Sequence, residues 1–410
     1  MNSNRKKALL KDALDAGDGI VRLAPAWVPR SFLVPGGRLK LAPRDLYALG
    51  ADRGGIDERW LASTVRADNG PGTPEDEGLS YVVMQDGAEV VKILLKEAIE
   101  LLGDQILGEA VMRKYEGWMV LAKFFDNAGP IPHHLHPDDE HAKKVGRVGK
   151  PEAYYFPSQL NFVEQNFPYT FFGLEPGTTK EDVIRCLERW NEGDNGILDH
   201  SKAYRLRPGT GWNIPPGILH APGTLVTYEP QKASDVASLF QSMVDGRAMT
   251  WDSLVKDVPE DRHHDLDYIV SMLDWERNVD PEFMRHYCVT PKPVKSSEAM
   301  KDEGYHETWV AYSSEEFSAK ELTVFPGKSV GIRDRAAYGL IVVQGRGAIG
   351  NMDVASPTMI RFGELTEDEC FVSVDAAAEG VTVTNTSAHE NLVMLKHFGP
   401  GNPDLPDCAA

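Results

Sequence analysis

The stretch "GPIPHHLHPDDEHAKKVGRVGKPEAYYF", residues 129–156, decides how this chain is read, because it packs four histidines and several carboxylates between a Pro-broken start and an aromatic, strand-like end. On a strand, residues i and i+2 face the same way, so His134 and His136 point together while Leu135 points away. Two imidazoles on one face make half a metal site; the competing reading is a pair of surface residues ahead of a Pro-Asp-Asp turn. Downstream, "GTGWNIPPGILH" fits G-x5-P-x-G-x2-H with Gly209, Pro215, Gly217 and His220. A Pro-Gly turn with a histidine at the start of the next strand is how a small β-barrel returns a third imidazole to the same cavity.

Around these motifs, residues 124–230 run as short apolar segments between Pro/Gly turns: "AYYF", "LNFV", "AYRLRPG", "WNIPPG", "TLVTYEP". One helix interrupts them at "TKEDVIRCLERWNEG", with Thr179 as its N-cap. Residues 1–128 mix strands such as "LSYVVM" with helical spacing in "VVKILLKEAIELLGDQI". Residues 235–286 read as helical, and "VTPKPVKSS" reads as a linker. Beyond residue 305, strand patterns return: "HETWVAYS", "SAKELTVFPG", "YGLIVVQGRGAIG", "PTMIRFGE", "DECFVSV", "GVTVTNTS", "ENLVMLKHF". "GRGAIG" is a hairpin turn there, since no helix follows it.

Composition narrows the function classes. At 410 residues the chain exceeds one core, and 42% hydrophobic with 26% charged residues is a globular composition. A formal charge of -19 disfavours nucleic acid and anionic lipid as partners. Cys186, Cys288, Cys370 and Cys408 lie far apart without CxxC spacing, as reduced thiols of a cytoplasmic protein would. The N-terminus carries no secretory h-region, and no apolar run approaches the ~20 residues of a membrane span.

The two histidine motifs resemble the cupin superfamily, and more closely the class I mannose-6-phosphate isomerases. "HLHPDDEHA" with "GKPEAYYF", and later "IPPGILHA", stand where that family carries its metal ligands. The resemblance implies His134 (for a family Gln), His136, Glu152 and His220 as ligands. The general cupin motif H-x-H-x3-E selects Glu140 instead; Glu152 is favoured because it leads directly into the strand "AYYF". "MVLAKFFDNAGPI" and "GGIDERWLAS" resemble pocket segments of the family and imply substrate-side roles for Lys123 and Trp60. Lys150 and Glu229 fall where the family keeps polar groups around the sugar, and are the expected acid/base pair. Two departures stand out. Leu239 occupies the place of a family arginine, which Arg277 in "LDWER" or Arg247 would have to supply, and Pro132 replaces a family serine.

The expectation is therefore a mainly β protein with two cupin-type jelly-roll barrels and helical insertions. Residues 1–128 would be a mixed scaffold contributing to the first barrel, 129–234 the metal-binding barrel, 235–300 a helical insertion and linker, and 301–410 a degenerate barrel without the histidine motifs. The resemblance implies a metal-dependent aldose–ketose isomerase acting through an enediol on a sugar phosphate, or on a different or unphosphorylated sugar. One divalent ion is implied, Zn first, with Mn, Fe, Ni or Co also suited to the donor set. The rival classes are an iron-dependent cupin dioxygenase and a noncatalytic sugar-binding cupin; a homodimer is left open.

Overall fold

The computed structural model describes residues 1–162 and 168–406. Its first half is a pair of antiparallel sheets. Seven strands run in the order Cys288–Val289, Gly211–Ile214, Glu152–Tyr155, Thr227–Lys232, Val120–Phe125, Gly55–Leu61, Ala26–Arg30. Against them lie five: Ser201–Arg205, Tyr169–Leu174, His220–Ala221, His134–Leu135, Ser238–Leu239. The second half repeats the plan with a nine-stranded and a four-stranded sheet, the latter built from Ser329–Ile332, Val381–Asn385, Arg346–Ile349 and Met352–Ala355. The chain is thus mainly β with helical insertions. "GRGAIG", read as a hairpin turn, is mostly strand: Arg346–Ile349 pairs with Met352–Ala355, and the turn falls at Gly350 and Asn351.

The N-terminal region divides between the halves. Ala26–Arg30, Gly55–Leu61 and Val120–Phe125 join the first, but Ile20–Ala24 inserts between Glu369–Val372 and Tyr81–Asp86 in the nine-stranded sheet. Only the first part of "VVKILLKEAIELLGDQI" departs from helix: Glu89–Leu94 is a strand against Tyr81–Asp86, and the helix runs Leu95–Ile106. Valine and isoleucine favour the pleated surface over the helix when a partner strand is present.

Helices Lys180–Glu188, Trp251–Val255 and Leu266–Ser271 cover the outer face of the five-stranded sheet, burying Leu135, Leu174 and Leu219 against Val183, Leu254, Ile269 and Val270. Leu135 therefore points outward, as strand alternation demands, leaving the opposite face to its histidine neighbours. Thr179 caps the first helix in a reciprocal box with Asp182. Four readings change with tertiary context. Ser238–Leu239, inside the stretch read as helical, adds to the sheet edge beside His134–Leu135. The expected linker supplies two edge strands, Cys288–Val289 and Lys292–Pro293, the position where a sheet accepts proline. "PTMIRFGE" makes only an isolated bridge between Ile360 and Leu41. "LNFV" forms no strand over 160–162, and Val163 lies outside the described residues.

Among the described residues no helix is long and apolar enough to cross a membrane. Cys186, Cys288 and Cys370 are free thiols, and Cys408 lies outside the described residues.

Candidate metal centre and catalytic cavity

The two sheets of the first half each contribute to one buried cluster. His134 and His220 are direct cross-strand partners in the five-stranded sheet, and His136 follows just past the strand end. Their ring centroids lie 4.1, 5.0 and 5.0 Å apart, with one ring nitrogen from each within 4.8 Å of the others. From the facing sheet enters Glu152, whose Oε2 lies 3.0 Å from His136 Nε2 and Oε1 3.1 Å from His220 Nε2. All four side chains are buried. Glu140 is elsewhere: it sits in the first turn of the helix Asp139–Lys143, 81% exposed, 3.8 Å from Lys144.

The hydrogen bonds on the far side of each ring reveal what the cluster can hold. Nδ1 of His134, His136 and His220 meets the carbonyl oxygens of Pro132 (2.7 Å), Val236 (2.7 Å) and Ile218 (2.9 Å). A carbonyl only accepts, so each ring donates through Nδ1 and turns the lone pair of Nε2 inward, where His136 Nε2 accepts from Lys150 Nζ at 3.0 Å. Those lone pairs face a carboxylate, and Glu152 Oε1, Glu152 Oε2 and His220 Nε2 are buried without a hydrogen bond. Lys150 Nζ stands beside Glu152 Oε2 at 3.0 Å, but Glu152 Oε1 and His220 Nε2 converge as buried acceptors without a donor, and such a pair calls for a cation between them. Three imidazole nitrogens and one carboxylate fit a divalent ion, and the carbonyl-anchored Nδ1 atoms are the outer support that orients such ligands.

Burial also holds His134 well below the ordinary histidine range, and burial with Lys150 brings His136 down to about 4, so both are neutral ligand forms. Burial alone would lift Glu152; Lys150 and His136 outweigh it and keep the carboxyl well below its usual range. Burial, and then the Glu152 charge, push Glu229 up to about 8.

From the cluster a cavity of about 260 Å³ opens toward the strand Ala26–Arg30. Its wall carries alternating charges in one connected chain. Lys150 Nζ lies 3.0 Å from Glu152 Oε2 and 3.4 Å from Glu229 Oε1. Lys123 Nζ lies 3.6 Å from Glu229 and 3.1 Å from Glu58. Glu58 in turn accepts from Arg30 Nη2 at 3.1 Å, and Arg30 also reaches Asp235 at 3.2 Å. Desolvation would raise Glu58, but Arg30 and Lys123 hold it at about 2.

Lys123, Lys150 and Glu229 thus line the cavity together with His134, His136 and Glu152, while His220 stands behind the wall. Trp60 does not line it. The indole is fully buried and acts through Glu58, donating from Nε1 to Oε2 at 2.8 Å. Arg277 is a correction: it lies on the short helix Trp275–Asn278, half exposed and paired with Asp274, because the helix caps on Asp274 and turns the arginine outward. Arg247 also stays off the cavity wall, on a hairpin with Asp245. The cavity arginine is instead Arg30, missed in the sequence together with Glu58 and Asp235. A register shift between Val28 and Pro29 on an edge strand interrupts the alternation just before Arg30. The signal available was a charged residue after Pro29 in an otherwise apolar strand, and an acid two residues before Trp60.

Fold and site together define a double β-sandwich protein with a buried three-histidine, one-carboxylate centre in its first half. That fold is the one found in mannose-6-phosphate isomerases. A provisionally assigned mannosephosphate isomerase from Archaeoglobus fulgidus matches at a TM-score of 0.60 and 16% identity, covering 93% of this chain and 97% of its own. The mannose 6-phosphate isomerase of Bacillus subtilis matches at 0.58 and 16%, covering 92% and 99%. A zinc-bound mannose 6-phosphate isomerase matches at 0.58 and 13%, covering 93% and 100%. No family model and no curated protein sequence matches the chain. At these identities the likeness establishes the fold.

Proposed function

We propose that this protein is a metal-dependent aldose–ketose isomerase. The observation that carries the reading is the contact between the ligand cluster and a proton-carrying pair: Lys150 Nζ bridges Glu152 and Glu229 at 3.0 and 3.4 Å, at the wall of the cavity. Interconverting an aldose and a ketose moves one proton between C1 and C2 and another between O1 and O2.

An ion held by His134, His136, Glu152 and His220 supplies Lewis-acid polarisation of the substrate carbonyl when bound, and zinc is the expected one, with Mn, Fe, Ni and Co also compatible. Glu229 is the group suited to the carbon proton: its Oε1 takes the proton from C2 and returns it to C1 on the same face. Lys150 Nζ carries the hydroxyl proton, giving it to one oxygen and recovering it from the other. Both groups are buried and fixed by their mutual contacts, so no solvent reorganisation is needed before transfer. Trp60 and Lys123 hold Glu58 and Glu229 in register from behind.

Elemental mass spectrometry of the purified protein tests the centre, alongside an aldose–ketose conversion assay on the same samples. About one equivalent of a divalent metal is expected in the wild type and in Glu140→Gln, as for a single site. His136→Ala and Glu152→Gln should lose both metal and turnover. Metal retained in Glu152→Gln would remove the carboxylate from the ligand set. Bound iron together with stoichiometric oxygen uptake would replace the isomerase reading with a dioxygenase.

A further inference from the structure

Resting on the isomerase reading, we propose that the cavity selects a neutral, unphosphorylated sugar, because the alternating acid–base wall running from Arg30 to Glu152 leaves no cation for a phosphate and every position for a hydroxyl.

A phosphate dianion is held by donors whose charge is not already compensated, most often arginine and lysine forks. Among the described residues the cavity wall carries four cations, Arg30, Lys123, Lys150 and Lys256, against five carboxylates, Glu58, Asp68, Glu152, Glu229 and Asp235. Each cation is already engaged. Lys150 and Lys123 are bracketed by the carboxylates of Glu152, Glu229 and Glu58. Lys256 Nζ lies 3.3 Å from Asp68 Oδ2. Arg30, the one fork-shaped donor, is clamped between Glu58 and Asp235, with Asn69 Oδ1 accepting from Nη1 at 2.8 Å.

A phosphate placed on Arg30 would stand against Asp235 and Glu58 at contact distance. Drawing the guanidinium toward the phosphate instead would strand two buried carboxylates, which is the expensive way to break a buried pair. A sugar hydroxyl meets neither obstacle. It donates to a carboxylate and accepts from an ammonium or guanidinium at once, and the wall offers these partners in alternation, as vicinal hydroxyls present them. Phe32, Leu33 and Leu239 supply apolar surface for the C–H face.

The test uses the metal-loaded full chain and two inert probes, mannitol and mannitol 6-phosphate, titrated by calorimetry, with conversion of mannose and mannose 6-phosphate followed in parallel. Mannitol should bind at least tenfold more tightly than its phosphate, and inorganic phosphate should not compete. Asp235→Asn, which releases one side of the Arg30 clamp, should narrow that gap by strengthening the phosphate ester and weakening the polyol. Equal or tighter binding of mannitol 6-phosphate, or no binding of either probe, overturns the proposal. If mannitol binds and neither sugar is converted, the isomerase reading falls while the neutral-sugar pocket stands; if only mannose 6-phosphate is converted, the reverse holds.

Discussion

On the proposed isomerase reading, single residues divide the labour of this site into holding and transferring. Glu229→Gln and Lys150→Met each keep the four ligand residues, so metal content should stay at the wild-type level while kcat falls by about 10²–10⁴-fold, the usual worth of a positioned acid or base. Loss of metal in either variant would mean that the residue supports the ligands instead of moving protons. Away from the cavity, His133 and His397 are buried and driven down to about 3 by desolvation, with Nε2 of His133 on Ser201 Oγ at 3.1 Å and Nδ1 of His397 on the Tyr228 hydroxyl at 3.1 Å. Each stays neutral in the fold, whereas the unfolded chain protonates it below about 6.5. The unfolded state therefore binds more protons between those values. Stability is complete above about pH 6.5 and is lost as pH falls, by roughly 2 kcal/mol per histidine at pH 5. Urea midpoints at pH 7 and pH 5 should show the drop in the wild type and a smaller one in His397→Gln; an equal drop would assign the acid sensitivity elsewhere. At this scale His134, His136 and His220 were legible because short motifs carry them, and Glu152 through the family resemblance, since the short motif alone selects Glu140. Arg30 and Asp235 were not, since their meaning depends on a bulge and on a strand more than a hundred residues away.

Elements show the same split between local and borrowed order. The helix Lys180–Glu188 announces itself through Thr179, whose hydroxyl accepts from Asp182 N while the Asp182 carboxylate accepts from Thr179 N. Thr179→Ala should cost about 1 kcal/mol, readable as a lower denaturation midpoint with activity unchanged. Strands of the second half carry a different device. Where the first half gathers histidines, the second buries Lys320 and Lys396 around Asp334, at 2.5 and 2.7 Å, with Glu307 also on Lys396. Lys320 Nζ stands 4.4 Å from the Trp309 ring centroid as well. Removing the shared acid leaves two buried ammonium groups without it, so Asp334→Leu should destabilise by about 3–5 kcal/mol in chemical denaturation. A loss under about 1 kcal/mol would show that water or Glu307 compensates the lysines. The absence of histidine motifs was plain in the sequence, but the charge cluster that stands in their place was not, because its four members come from separate strands and the turn after Ser329–Ile332.

Over the whole molecule, the two sandwiches are joined through their cores. The largest apolar cluster runs from Phe124, Tyr155 and Tyr228 in the first half to Val310, Ala319, Ile341 and Phe371 in the second. Across it Arg59 sends Nη1 and Nη2 to Asp368 at 2.7 and 2.8 Å, and Nη2 to Glu369 at 3.1 Å, while Ala62 N donates to Glu369 Oε1 at 2.9 Å. The expected consequence is one cooperative unfolding transition, with tryptophan fluorescence and far-UV circular dichroism coinciding. Arg59→Leu should lower its midpoint by about 3–5 kcal/mol of stability, since Asp368 and Glu369 lose their buried partner. Separate transitions in the wild type would mean that the halves fold independently. The sequence by itself determined the β-rich class, the two strand-bearing regions and the gathering of His134, His136 and His220, because strand alternation and Pro-Gly turns act over a few residues and leave a readable period; the choice of Glu152 over Glu140 came from the family resemblance. Tertiary structure alone decided that Ile20–Ala24 belongs to the second half, that the cavity arginine is Arg30 and not Arg277, and that every cation of the cavity is matched by an acid. Those outcomes rest on pairings between distant strands and on the cost of burying unmatched charge, and neither leaves a periodic trace along the chain.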